Sequence, residues 1–414
     1  MAKANSSEWR GSAWSSCFST YWRSNMQKKL IALAVAGLAS ASGVAVAQTN
    51  VTLYGVIDVG YLYASGNAGR NIPGNNTFSG LVDGIDAGPR VGFKGEEALG
   101  NGLKAVFTLE YGITPTRNGG LGNDVANGLN ARQQFVGLSS SKYGTVALGR
   151  QYAPGFNATA NNDALDASNL SIQSSLSAIA GDTITPNSPG RFNNAITYTS
   201  PTFSGVTFSA IYGFGETQGT YPGTNTLTYN DKTTSVSDNG QWGVGLNYAN
   251  GPINLDAVYQ QRNSVVGSPA LKLPGNGDSI NEWYVGGTYD FQVVKVYASY
   301  QGLHNNNDGA FYAIAPNNNF WTVGLTAPIG RGTFGIGYGR MTIDNKNIDN
   351  GNSWGAGLMY TYPLSKRTAL YAAYSYFSNS DTSINGSSIA NPGALIGAPG
   401  ESNFAIGAGL RHSF

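Results

Sequence analysis

The 414-residue chain has one cysteine, Cys17, and two histidines, His304 and His412. A single thiol cannot form an internal disulfide, and no Cys/His cluster has the spacing of a zinc site. Neither histidine lies in a Ser/His/Asp arrangement, so nucleophilic hydrolysis has no base to serve it. Charge is scarce too: 24 basic and 23 acidic residues make up 11% of the chain and leave a net charge of +1. So weak a balance argues against nucleic acid as a partner. No segment reaches the roughly 18 consecutive apolar residues of a membrane-spanning helix.

Glycine and aromatics are plentiful: 57 Gly, 24 Tyr, 17 Phe and 7 Trp, at a mean hydropathy of −0.20. That composition suits a β-rich exported protein, either a soluble sandwich or a barrel with a polar lumen and aromatic girdles. Export is signalled at Met26-Gln-Lys-Lys29, followed by the apolar run Leu30–Leu38 and the small residues Ala45-Val-Ala47. The expected mature start is Gln48. Residues 1–25, where Trp9, Trp14 and Trp22 lie without periodicity, read as an upstream extension foreign to the native protein. Cleavage removes Cys17, five basic residues (Lys3, Arg10, Arg23, Lys28, Lys29) and Glu8. It reduces 24 basic and 23 acidic groups to 19 and 22, a net charge of −3.

From 48 to 414 the chain alternates every second residue. In Phe404-Ala-Ile-Gly-Ala-Gly-Leu-Arg-His-Ser-Phe414 the even positions are mostly apolar and the odd ones small or polar. Strands are expected near 51–64, 88–97, 102–114, 131–140, 144–153, 191–200, 205–215, 240–249, 252–263, 281–291, 293–303, 319–327, 332–343, 352–362, 368–378 and 403–414. Short turns such as Ala98–Asn101 and Ser141–Tyr143 alternate with long polar loops such as 65–87, 154–190 and 379–402. A meander with short turns at one end and long loops at the other is how outer-membrane barrels are built. The expected fold is therefore all-β: a transmembrane, 16-stranded, antiparallel up-and-down β-barrel closed by pairing 403–414 with 51–64. Charged faces such as Arg90/Lys94 and Lys104/Glu110 belong in the lumen, since a charge at the lipid midplane costs about 2–4 kcal/mol.

The chain resembles the general diffusion porins of Gram-negative outer membranes, in particular the β-proteobacterial group. The resemblance rests on Leu53-Tyr54-Gly55, Arg90-Val-Gly-Phe-Lys-Gly-Glu-Glu97, Phe135-Val-Gly-Leu138, Tyr143-Gly-Thr-Val-Ala-Leu-Gly-Arg150, Tyr198-Thr-Ser-Pro201 and Gly409-Leu-Arg-His-Ser-Phe414. It implies a homotrimer in the outer membrane, surrounded by lipid and lipopolysaccharide, that passes small hydrophilic solutes and ions and needs no cofactor. Terminal Phe414 would belong to the signal read by the barrel-assembly machinery. The third loop, 154–190, would fold inward and narrow the pore. Within it Leu165, Ile172, Leu176 and Ile179 have helical spacing, with Asn162 or Asp163 as the expected cap.

In the family, wall arginines face loop carboxylates across the constriction. The resemblance places Arg90 and Arg132 on the basic wall, with Arg191, Arg150 and Lys94 as further candidates. Asp163, Asp166 and Asp182 form the expected acidic side, and Glu110 is a wall carboxylate that moderates the arginines. This count favours anions mildly. A substrate-specific channel or a surface adhesin on the same barrel is the alternative.

Overall fold

The computed structural model describes residues 50–66, 77–117, 131–179, 184, 190–214, 218–220, 227–229, 240–263, 278–306, 316–344, 349–381 and 400–414. Residues 1–25, the export segment 26–47 and Asp182 lie outside these.

The first eight strands are β1 (Asn50–Gly66), β2 (Thr77–Asp83), β3 (Arg90–Gly100), β4 (Leu103–Gly112), β5 (Ala131–Ser140), β6 (Gly144–Tyr152), β7 (Arg191–Thr199) and β8 (Val206–Gly213). A small separate hairpin, β9 (Gln218–Thr220) and β10 (Leu227–Tyr229), follows. The meander resumes with β11 (Gln241–Asn250), β12 (Ile253–Arg262), β13 (Ile280–Asp290), β14 (Lys295–Asn305) and β15 (Asn318–Ile329). It ends with β16 (Gly332–Ile343), β17 (Gly351–Pro363), β18 (Thr368–Asn379) and β19 (Ser402–Ser413). The main sheet is antiparallel throughout and has 17 strands. β2 and β3 pair with successive halves of the same neighbour, β1, and so form one interrupted stave. The barrel therefore has sixteen staves.

β1 closes the barrel against β19, from Val56↔Ser413 to Gly66↔Asn403. Phe414 adds a reciprocal backbone pair with Gly55, each bond 3.1 Å long. Closure leaves no open edge, which a chain in lipid cannot tolerate. Leu53, Leu148, Ile406 and Leu410 lie exposed on the outer wall, while Asn403 and Ala405 are buried toward the lumen. Four rings from adjacent staves, Trp321, Tyr338, Trp354 and Tyr376, follow one another at 5.5, 5.9 and 5.4 Å. They form a girdle segment of the kind that marks a membrane interface.

The expected loop 65–87 is partly strand, because β2 occupies 77–83. The sequence Asp83-Gly-Ile-Asp-Ala-Gly-Pro89 then breaks the stave. Gly84 adopts φ +70°, which favours glycine, and Pro89 has no N–H for the ladder. Asp58 on β1 catches the break: its Oδ2 accepts from the N–H of Asp86 at 2.8 Å and of Ala87 at 2.6 Å. His304, one residue past the expected strand 293–303, falls inside β14.

The connection from β6 to β7 folds into the barrel. Its first helix, α1 (Pro154–Asn161), has proline in its first turn and was not expected from the sequence. α1 packs on β11–β13, and the second helix, α2 (Ile172–Ile179), packs on β15–β17. Ile172 and Leu176 are buried with Leu165, Phe320, Met341 and Phe377 in one apolar cluster on the inner wall. Each such side chain contributes about 1.5–3 kcal/mol on burial, which holds the loop inside a wet lumen. The α2 cap is Ser171, whose Oγ accepts from Ser174 N–H at 3.3 Å, rather than Asn162 or Asp163.

Candidate pore constriction

Arg90 opens β3 and points into the lumen with the rest of its parity. Arg132 would point outward by simple alternation, since Val136 and Leu138 on the same parity are 58% and 51% exposed. A β-bulge corrects this: Glu110 pairs with Gln133 and Tyr111 with Ala131, leaving Arg132 as the extra residue. Bulges re-aim side chains in this way. Arg191 begins β7 at the end of the inward loop.

These arginines converge on Glu110. Arg132 Nε donates to its Oε1 at 2.8 Å, and Arg90 Nε lies 3.8 Å from its Oε2. Tyr54 and Tyr152 donate their hydroxyls to the same carboxylate at 3.0 and 3.3 Å. The Tyr152 oxygen in turn accepts from Arg132 at 3.0 Å and from Arg191 at 3.5 Å. The Arg191 guanidinium sits 4.7 Å from the Tyr152 ring centre and 5.1 Å from that of Phe156, and the two rings stack at 3.8 Å. Its Nε finds no acceptor among the described residues. Glu110 thus anchors Arg132 directly, sits beside Arg90, and reaches Arg191 only through the Tyr152 hydroxyl, which leaves the cluster positive.

Arg90, Arg132, Arg191, Glu110 and Asp166 all line one lumen cavity of about 760 Å³, with Tyr54, Tyr152 and Phe156. Asp166 comes from the inward loop and is bound by Arg411 Nη1 at 3.2 Å. The same nitrogen lies 2.8 Å from Asp86 Oδ2, on the break between β2 and β3. The remaining candidates lie elsewhere. Arg150 sits at a register shift between Gly149 and Gln151, donates to Ala131 O at 3.0 Å and to Asn193, and is not among the cavity-lining residues. Lys94 stands over the Tyr54 ring at 5.2 Å and is not among the cavity-lining residues. Asp163 faces away from the arginines: its Oδ1 accepts from Leu165 N–H at 2.8 Å, and Ser171 Oγ donates to its Oδ2. Burial pushes its carboxyl up to about 6.

Tyr152, Phe156 and Asp86 were not singled out from the sequence. The first two are aromatics on either side of a helix start marked by Pro154, where the chain turns from β6 into α1. Asp86 sits in a run of glycines and proline, and that turn composition was the available signal for a break.

The closed barrel, outer apolar wall, wet lumen and inward loop define a transmembrane β-barrel channel. The model of the Gram-negative porin family matches residues 32–382, and the chain belongs to that family. An outer membrane porin of Bordetella pertussis is 31% identical over 94% of this chain and its own full length. Outer membrane porin protein 32 of Delftia acidovorans is 30% identical over the same shares. Among solved structures, the anion-selective porin from Comamonas acidovorans superposes with a TM-score of 0.68 at 28% identity. That match covers 89% of this chain and all of the other. The protein is an outer-membrane porin.

Proposed function

We propose that residues 48–414 form, after removal of the export segment, a homotrimeric channel that passes small hydrophilic solutes and ions with a mild preference for anions. The observation that carries the preference is the Arg90/Arg132/Arg191 cluster gathered on the single carboxylate Glu110. Of the other carboxylates on this cavity, Asp86 and Asp166 are both held by Arg411, so the positive excess lies in the Arg90/Arg132/Arg191 group around Glu110. Opposed charges closer than a Debye length, about 8 Å at physiological salt, are only partly screened, so this local excess outweighs the mature chain's net charge of −3. Arginine suits the role because it stays charged among like neighbours. The Comamonas acidovorans porin, described as anion-selective, supports the same sign. The protein acts as a channel rather than an enzyme. Lipid and lipopolysaccharide surround the barrel, and the assembly machinery receives it through the strand that ends in Phe414.

Reversal potential across a KCl gradient in a planar bilayer tests the reading. Chloride should carry the larger share of current, and an Arg90→Ala/Arg132→Ala double variant should move the potential toward cation preference. A cation-selective wild type, or a variant with unchanged potential, overturns the assignment. Triplet closures in the same recordings test the trimer.

A further inference from the structure

We propose that the constriction is also a binding site for aromatic carboxylates, with Phe156 as the residue that recognises the ring; this rests on the channel reading above. The loop does not oppose the arginines with a row of acids. Asp163 is turned into the loop's own hydrogen bonds, and Asp166 is engaged by Arg411. The inward loop brings Phe156, Ala160 and Ala167, together with Asp166 and Asn169, to the cavity that Arg90, Arg132 and Arg191 line from the wall. The narrowing therefore sets an aromatic face directly beside fixed guanidinium groups.

The aromatic surface is fixed in place. Phe156 stacks on Tyr152 at 3.8 Å with 16° between the planes, and the Arg191 guanidinium lies beside both rings. Arg132 and Arg191 hold the Tyr152 hydroxyl, which donates on to Glu110. Pro154 at the start of α1 and the bond from Gly155 N–H to Gln260 at 2.9 Å fix the turn that carries Phe156. Chloride or a short aliphatic carboxylate engages only the guanidinium side of such a passage. A benzoate-type anion engages both: its carboxylate matches the planar donor fork of arginine, and its ring lies against an aromatic face. The site thus sorts anions of equal charge by the flatness and polarisability of what they carry.

The probe is benzoate compared with cyclohexanecarboxylate, which matches it in charge and carbon count but has no aromatic face. Purified protein in a planar bilayer is held in KCl, and each acid is titrated against the chloride current. Benzoate should halve the current at a concentration about twofold to tenfold lower than cyclohexanecarboxylate, the range an aromatic pair contributes. The ratio of the two concentrations should fall to about one in Phe156→Leu and be kept in Phe156→Tyr, whatever conductance each variant has. Equal potency in the wild type overturns the proposal, as does a ratio that survives Phe156→Leu. Equal potency in an otherwise anion-selective channel overturns this site alone, whereas a purified protein that conducts no ions overturns the channel reading with it.

Discussion

Arg411, the fourth residue from the end of the chain, lies 2.8 Å from Asp86 on the break in the second stave. The same guanidinium holds Asp166 of the inward loop at 3.2 Å. One residue on the closing strand thus ties the barrel seam, the interrupted β2/β3 stave and the constriction loop together. The Asp86 side chain is inaccessible to solvent, so removing its partner strands a buried charge. Arg411→Ala should cost about 3–5 kcal/mol locally, the usual cost of breaking a buried pair. It should also shift the reversal potential toward cations, because two carboxylates lose their counter-charge. Arg411→Lys should restore most of the selectivity. Unfolding midpoints in detergent and gradient potentials read both effects, and an Arg411→Ala protein equal to wild type in both would remove the tie.

Glu110 offers a test of opposite sign. It accepts from Arg132, Tyr54 and Tyr152 and lies near Arg90. Glu110→Gln deletes the carboxylate at the centre of the arginine cluster, so anion preference should rise. The amide also turns an N–H₂ toward groups that are themselves donors, an unsatisfied contact worth about 1–3 kcal/mol. The expected signature is therefore a more anion-selective pore in a less stable barrel. A pore that becomes less anion-selective would show that Glu110 does not moderate the cluster.

The global architecture was legible because lipid on one side and water on the other impose a strict two-residue period, and turns of a few residues mark the short end. The expected bounds for 131–140 and 332–343 coincide with β5 and β16. Other staves shift by one to three residues, where alternation fades into turns. The break at 84–89 was hidden because its purpose is tertiary: it lets Ile85 join the apolar cluster beneath the loop and gives Asn169 a backbone acceptor. Arg132 illustrates the same limit. Its parity says outward, and only a bulge set by pairing with β4 turns it inward. Asp163 looked like an eyelet acid because it is a loop carboxylate, yet a short acid next to a turn is also well placed to accept backbone N–H bonds. Spacing alone does not separate those uses.

The seat of the inward loop can be tested without touching a charge. Gly335 on β16 faces the loop so closely that a Cβ there would lie 2.4 Å from Ala164 O, a backbone atom that cannot swing aside. Gly335→Val suits a strand by propensity, so the barrel should still close while the loop is pushed off the wall. Single-channel conductance should increase and selectivity should weaken as the arginines lose the opposing surface. A variant that folds with wild-type conductance would mean that the loop does not set the pore width.

Asp163 predicts a pH dependence with a defined window. Its folded carboxyl titrates at about 6 because burial disfavours the ionised form, against an ordinary value of 3.8. Between those values the folded protein keeps a proton that the unfolded chain has released, so this group's contribution to stability falls as pH rises from about 4 to about 6, and is level above. The carboxylate still accepts from Leu165 N–H and Ser171 Oγ, and a protonated acid or an amide can keep the first contact through its carbonyl oxygen. Asp163→Asn should therefore unfold at a higher temperature than wild type at pH 7.5 and match it near pH 4. The measurement is the difference between the two midpoints across pH, which cancels titration of the other carboxylates. A difference that stays constant from pH 4 to 7.5 would show that Asp163 is ionised throughout and that its place in the loop carries no penalty.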